Sequence, residues 1–281
     1  MGEKPMDSKI SRRKFALATS SLGSAMLVDG LSVLVKTGGG SSRAFPSSDA
    51  AFQSGDAGAP AKLKVLVFDV NQTLLDLNAL RPHFVRVFGD GKALDEWFSL
   101  LLQYSLVVSV ADAYSDFGTV GRAILEMIAS NKGVKISPDD ATRILQGLLT
   151  LPPHPDVPES LKQLKAAGFR MVTLTNSSPS AAKAQLQNAG LTNYFEESIT
   201  VETVHRFKPD LRVYRSAAAH LGVRAAELRL IAAHAWDVFG AMKAGWQAAF
   251  VARNGISLFP LGPKPDIIGS DLRAVTAAIL R

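Results

Sequence analysis

From Lys62 onward, short runs that are apolar at every position alternate with amphipathic helical patterns, and this alternation restricts the chain to one fold class. A strand apolar only at every second position can turn one face to water. One apolar throughout needs both faces covered, which a parallel sheet with helices on each side provides. The runs at 65–70, 169–175, 230–233, 249–252 and 266–268 are the candidate strands, and 159–167 and 180–189 are helical patterns between them. The expected fold is therefore α/β with a Rossmann-like parallel-sheet core. In such sheets, sites form beyond the carboxyl ends of the strands. Asp69 and Thr175 both stand at such ends.

One segment interrupts the alternation. Residues 78–150 contain no convincing strand but carry helical patterns at 81–88, 95–107, 118–130 and 137–148. The last opens with Ser137-Pro138-Asp139-Asp140, an N-cap, a proline at the first helical position and first-turn acids. This segment reads as an inserted helical cap domain. The proline-rich Leu151-Pro152-Pro153-His154-Pro155 marks the return to the core, which then comprises 61–77 and 151–281. His154 reads there as loop structure. Gly168 and Gly190 each follow a helical pattern, where a left-handed C-cap is expected.

Composition bounds the function. At 281 residues and 47% hydrophobic, the chain can bury a full core. The net charge of +6 is half accounted for by residues 1–50, and the +3 that remains is too little to argue for a nucleic-acid partner. The absence of cysteine excludes disulfides, thiolate metal sites, a cysteine nucleophile and a lipid anchor through cysteine. Residues 1–60 read as a signal and linker. Ser11-Arg12-Arg13-Lys14-Phe15-Ala16-Leu17 leads into the uncharged stretch 15–28 and resembles a twin-arginine export signal. That stretch is short for a bilayer span, so a periplasmic protein without a stable membrane anchor is expected. Ser42-Arg43-Ala44 and Ser48-Asp49-Ala50 both suit cleavage.

Four stretches place polar groups at or near strand ends: Asp69 with Asn71, Gln72 and Thr73; Thr175-Asn176-Ser177; Lys208-Pro209-Asp210 with Tyr214; and His234-Ala235-Trp236-Asp237. A parallel sheet gathers such ends on one edge. A carboxylate becomes a useful nucleophile when oriented and partly desolvated. A lysine within about 4 Å would favour its ionised form by roughly 4 kcal/mol at an effective dielectric near 20. Lys208 is the candidate partner, while Thr73, Thr175 and Asn176 supply hydroxyls and an amide.

This ordered set resembles the haloacid dehalogenase superfamily, and more closely its type II, L-2-haloacid dehalogenase branch. The resemblance covers roughly residues 63–280. It implies that Asp69 attacks carbon 2 of a short 2-haloalkanoate, expels halide and forms an ester that water then hydrolyses to the 2-hydroxy acid. It makes Thr73 and Lys208 supports of Asp69, Thr175 and Asn176 binders of the substrate carboxylate, Tyr214 a pocket residue, and Asp237 the acid serving the hydrolytic half. Asn71 and Gln72 face the substrate in this reading. Superfamily phosphatases carry a second aspartate two residues after the nucleophile to protonate the leaving oxygen. Asn71 cannot do so, and a departing halide has no need of it. No cofactor or metal ligand set is expected; Mg²⁺ enters only under the alternative of a small-molecule phosphatase. A further alternative is a member that binds a small carboxylate without turning it over.

Two departures stand out. Where the family carries arginine after tryptophan in the insertion, this chain reads Trp97-Phe98-Ser99, so Phe98 takes the guanidinium's place beside the substrate. Arg81, Arg86 and Arg122 are the candidates to replace it. The family's Ser-Ser-Asn-Ala-Trp-Asp becomes Ala232-Ala233-His234-Ala235-Trp236-Asp237. An imidazole there can act as general base for ester hydrolysis, oriented by Gln72 or Asp237. Leu100, Leu101, Leu102 and Leu106 are placed to face either the core or a second copy of the chain, which leaves a homodimer open. The export reading predicts that subcellular fractionation finds a shortened chain in the periplasm; a full-length chain in the cytoplasm would contradict it.

Overall fold

The computed structural model describes residues 63–281, so the proposed signal and linker lie outside the described residues. Everything described falls within one compact unit, 56–281. The strands are β1 (Val65–Phe68), β2 (Arg170–Thr175), β3 (Ser198–Thr200), β4 (Leu228–Ala232), β5 (Gln247–Val251) and β6 (Ile267–Gly269). They form a single parallel sheet in the order β3-β2-β1-β4-β5-β6. Every residue of β1 and β4 is buried, as continuous apolar runs require. Strand order reverses beside β1, and a crevice opens beyond the carboxyl ends at that switch point.

Between β1 and β2 the chain makes α1 (Arg81–Phe88), α2 (Lys92–Val110), α3 (Phe117–Asn131), α4 (Pro138–Gly147) and α5 (Val157–Ala166). The first four form the helical insertion. Ser137 caps α4 by accepting from Asp140 N–H, with Pro138 and the two aspartates in its first turn. The Trp97 indole donates to the Gly121 carbonyl at 2.9 Å and ties α2 to α3. A Cβ on Gly121 would lie 3.4 Å from the Trp97 ring, so these helices pack closely there. Leu101 points into the core, Leu100 and Leu102 pack partly against it, and Leu106 is exposed.

The remaining helices are α6 (Pro179–Asn188), α7 (Leu211–Leu221), α8 (Ala235–Lys243) and α9 (Leu272–Ile279). Gly168 and Gly190 follow α5 and α6 with φ of 81° and 69°, the left-handed conformation expected at a helix end. The described residues include no helix long and apolar enough to cross a membrane.

The boundaries expected from sequence shift in instructive places. The run 65–70 leaves the sheet early because the chain turns at Asp69: Val70 C=O accepts from both Leu74 N–H and Leu75 N–H. Strand β4 begins before 230 because it includes Arg229, a charged side chain bonded to Asp266 and Gln247. The edge strand β3 offers only Ile199 as a strongly apolar residue and was not expected.

Candidate active site

The site begins where β1 stops. Asp69 N–H still bonds to the Ile231 carbonyl of β4, so the sheet fixes its backbone while its side chain projects into the crevice. Lys208 stands before α7, its own N–H donating to Asn176 Oδ1 at 3.0 Å just past β2. Its Nζ donates to Asp69 Oδ1 at 2.8 Å, Asp237 Oδ2 at 2.6 Å and the Leu174 carbonyl at 2.8 Å. All of its ammonium hydrogens are thus committed. Lys208 is only 2% exposed, contrary to the usual solvated lysine.

Burial alone would push the Asp69 carboxyl upward. The Lys208 charge and then the His234 contact outweigh it and hold Asp69 well below the usual carboxylate range. Lys208 is likewise disfavoured by burial but raised by Asp237 and Asp69 together. Asp237, in the first turn of α8, moves the other way: burial raises it, Lys208 opposes, and the Asp69 charge adds to the rise. The two carboxylates therefore differ, with Asp69 the readily ionised one.

Thr73 Oγ1 donates to Asp69 Oδ2 at 2.6 Å while accepting from Ala233 N–H, which binds the turn after β1 to the end of β4. Arg253 donates from Nε and Nη2 to the Thr73 carbonyl and from Nη1 to Asp156, whose other oxygen accepts from Leu272 N–H. His154 Nε2 lies 3.2 Å from the Gln72 carbonyl. Burial, then the Arg253 charge, holds that imidazole below its ordinary range. These contacts brace a turn in which Gln72 adopts φ of 61°, a conformation non-glycine residues seldom take.

The strain places the Gln72 side chain. Its Oε1 lies 2.9 Å from His234 Nε2, and His234 Nδ1 lies 3.1 Å from Asp69 Oδ2. The imidazole stacks against Trp236 at 4.9 Å and Phe98 of α2 at 6.2 Å. Gln72, not Asp237, is the residue that orients it. Asp237 is fully buried and its other oxygen accepts from Tyr214 Oη at 2.6 Å. This corrects the expectation for Tyr214: with no exposed surface, it lies behind Asp237 and cannot line the pocket. Its phenol is pushed well above its ordinary range by burial and the Asp237 charge.

Asn71 Nδ2 donates to Ser177 Oγ at 3.3 Å, and Gln185 Nε2 donates to Asn71 Oδ1 and to the Leu148 carbonyl of the insertion. Thr175 Oγ1 accepts from Ser177 N–H and Asn176 Oδ1 accepts from Lys208 N–H, which holds both buried residues beside the end of β2. None of the proposed replacement arginines joins the cluster: Arg81 binds Asp95, Arg86 binds Asp140 and Arg122 reaches Thr142. Gln185, Arg253 and the bracing role of His154 were not read from the sequence. Among the described residues, no group of three or more His, Asp or Glu side chains is placed to hold a metal ion. The Lys208 ammonium occupies the space between the two facing carboxylates.

Residues 63–245 match the sequence model of the haloacid dehalogenase-like hydrolases. The chain belongs to that family. Within it, the chain is 29% identical over 215 residues to an (S)-2-haloacid dehalogenase of Pseudomonas sp. strain YL, covering 76% of this chain and 93% of that relative. It is 31% identical over 193 residues to (S)-2-haloacid dehalogenase 1 of Pseudomonas sp. strain CBS-3, covering 68% and 85% respectively. The solved L-2-haloacid dehalogenase of Xanthobacter autotrophicus with chloropropionic acid covalently bound superposes with a TM-score of 0.73 at 25% identity. That match spans 78% of this chain and 98% of the other. The six-stranded parallel sheet with its helical insertion is the fold of these hydrolases.

The shared ammonium predicts how Lys208→Met behaves. Asp69, depressed in the fold, contributes stability above its unfolded value near pH 3.9, lost as pH falls toward the folded value; Asp237, raised, contributes in the opposite sense. Removing the cation leaves two uncompensated buried carboxylates, so Lys208→Met loses about 3–5 kcal/mol at pH 7. It regains part of that by pH 5 as a carboxyl protonates. Denaturant unfolding at both pH values checks this; an unchanged midpoint contradicts it.

Proposed function

We propose that the protein hydrolyses the carbon–halogen bond of short 2-haloalkanoates through an ester on Asp69. The observation that carries this reading is a buried Asp69 at the switch point, ion-paired to Lys208 at 2.8 Å, with a neutral Asn71 two residues later. An Asp69 oxygen attacks carbon 2, and the halogen leaves with the bonding pair as a stable anion. Protonation of the leaving group is unnecessary, so the amide at Asn71 costs nothing. The scheme requires no cofactor.

The ester then loses its negative charge, which changes what His234 faces. With the Asp69 charge gone, Nδ1 no longer has a carboxylate to donate to, and a ring proton on Nε2 is accepted by Gln72 Oε1. Nδ1, beside Asp69, is left to take a proton from the water that attacks the Asp69 carboxyl carbon. Collapse releases the 2-hydroxy acid and restores the carboxylate. Asp237 serves this half by holding Lys208 on Asp69, with Tyr214 steadying it from behind. The insertion, 78–150, acts as the cap over a core of 61–77 and 151–281, bringing Phe98 against the imidazole. Leu106, Val107 and Val110 form the exposed apolar face on which a homodimer would rest.

The purified chain is expected to release halide from chloroacetate, bromoacetate or a 2-chloropropionate enantiomer in the presence of EDTA, and Asp69→Asn to release none. His234→Ala should retain halide release in a single turnover and accumulate an ester on Asp69, visible as a mass increase of that peptide. Silence across all of these substrates would contradict the function; full turnover by His234→Ala would remove the imidazole from the mechanism.

A further inference from the structure

Gln185 of α6 is 1% exposed, and both of its amide hydrogens are in use. One goes to Asn71 Oδ1 at 2.9 Å and the other to the Leu148 carbonyl of the insertion at 3.0 Å. Its Oε1 accepts from the Ser177 hydroxyl at 3.1 Å, and Ser177 Oγ accepts from Asn71 Nδ2 at 3.3 Å. Asn71, Ser177 and Gln185 thus close a ring whose three members are all buried. It joins the turn after β1, the segment after β2 and α6.

The ring has a direction, and the Leu148 carbonyl sets it. An amide meets another amide or a hydroxyl either way round, because each of these groups both donates and accepts. A backbone carbonyl only accepts. Gln185 must therefore turn Nε2 toward the insertion, which gives the second Nε2 hydrogen to Asn71 and Oε1 to Ser177. Asn71 in turn presents Oδ1 to Gln185 and Nδ2 to Ser177. Asn71 shares its turn with Asp69 and Gln72. Contacts from Ala233 and Arg253 to Thr73 hold one flank of that turn, and the ring on Asn71 holds the other. Between the flanks Gln72 keeps its φ of 61°, a conformation that persists only where surrounding contacts impose it.

We propose, resting on the Asp69 ester chemistry above, that Gln185 is a positioning residue of the reaction: it carries the seating of the insertion to Asn71 and so holds the turn from which Asp69 attacks. It acts through Asn71 and not on the substrate. Replacing its amide with an apolar side chain leaves Asn71 Oδ1 and the Leu148 carbonyl buried without their donor, and frees Asn71 to turn. The same helix supplies an internal control. Asn188, exposed at the end of α6, donates to the Leu149 carbonyl at 2.7 Å and anchors the next residue of the insertion from the surface.

The test compares Gln185→Leu, Asn71→Ala, their double variant and Asn188→Ala with the wild type, using the haloacid that the wild type turns over fastest. Single turnovers with enzyme in excess give the maximal rate of halide release and the enzyme concentration at half that rate. Gln185→Leu is expected to slow the maximal rate by roughly tenfold or more and to shift half-saturation by less than about twofold, because alignment is lost and not substrate contact. Asn71→Ala is expected to slow it comparably, and the double variant no further than the slower single, as for residues that act as one unit. Asn188→Ala is expected to keep the wild-type rate even where its melting temperature falls. A wild-type rate in Gln185→Leu, equal slowing in Asn188→Ala, or multiplied losses in the double variant overturns the inference and leaves the dehalogenase reading standing. Where Gln185→Leu does not fold, Ser177→Ala decides by opening the ring at its hydroxyl: slowed release at unchanged half-saturation supports the inference, and a wild-type rate overturns it. A wild type that releases halide from no haloacid overturns both.

Discussion

The structure of this site depends on one ammonium group held out of water. Lys208 Nζ binds Asp69, Asp237 and the Leu174 carbonyl at once, joining the ends of β1 and β2 and the start of α8. Removing such charges from solvent is costly, and only a full set of short hydrogen bonds offsets it. The arrangement is therefore better read as functional than as a source of stability. Its effect is unequal: Asp69 is held as the anion, while Asp237 is pushed the other way.

Around that ion cluster, the turn after β1 is gripped from outside. Arg253 holds the Thr73 carbonyl and His154 approaches the Gln72 carbonyl, each from a loop distant in sequence. The positive φ at Gln72 is a local cost that the surrounding contacts maintain. It gives the Gln72 amide access to the far nitrogen of His234, leaving the near nitrogen at Asp69. Fold and chemistry meet in this turn, because the register of β1 against β4 sets the distance between Asp69 and His234.

Much of this was legible in the sequence, for identifiable reasons. Continuous apolar runs marked the strands, and residues directly after them were bound to share one edge, so Asp69 and Thr175 could be grouped, while Lys208 joined them through the ordered motif shared with the family. Short or charged strands were harder: β3 has too little apolar character, and Arg229 hid the start of β4. Tyr214 was placed correctly near the site but on the wrong side of Asp237, because helix spacing does not say which face of a neighbour a side chain meets. Gln185 and Arg253 carry no spacing signal at all. They look like ordinary helix and loop residues until the fold brings Gln185 to Asn71 and Arg253 to Thr73.

The central claim is that the oxygen delivered to the product comes from Asp69 and that solvent only regenerates the carboxylate. The most direct measurement is one turnover in ¹⁸O-labelled water with enzyme in excess over chloroacetate, followed by mass analysis of product and of the peptide carrying Asp69. The account predicts unlabelled glycolate and a peptide heavier by one oxygen label at Asp69. Label in the glycolate with an unchanged peptide would mean that water attacks the substrate directly, and would contradict the nucleophilic role given to Asp69.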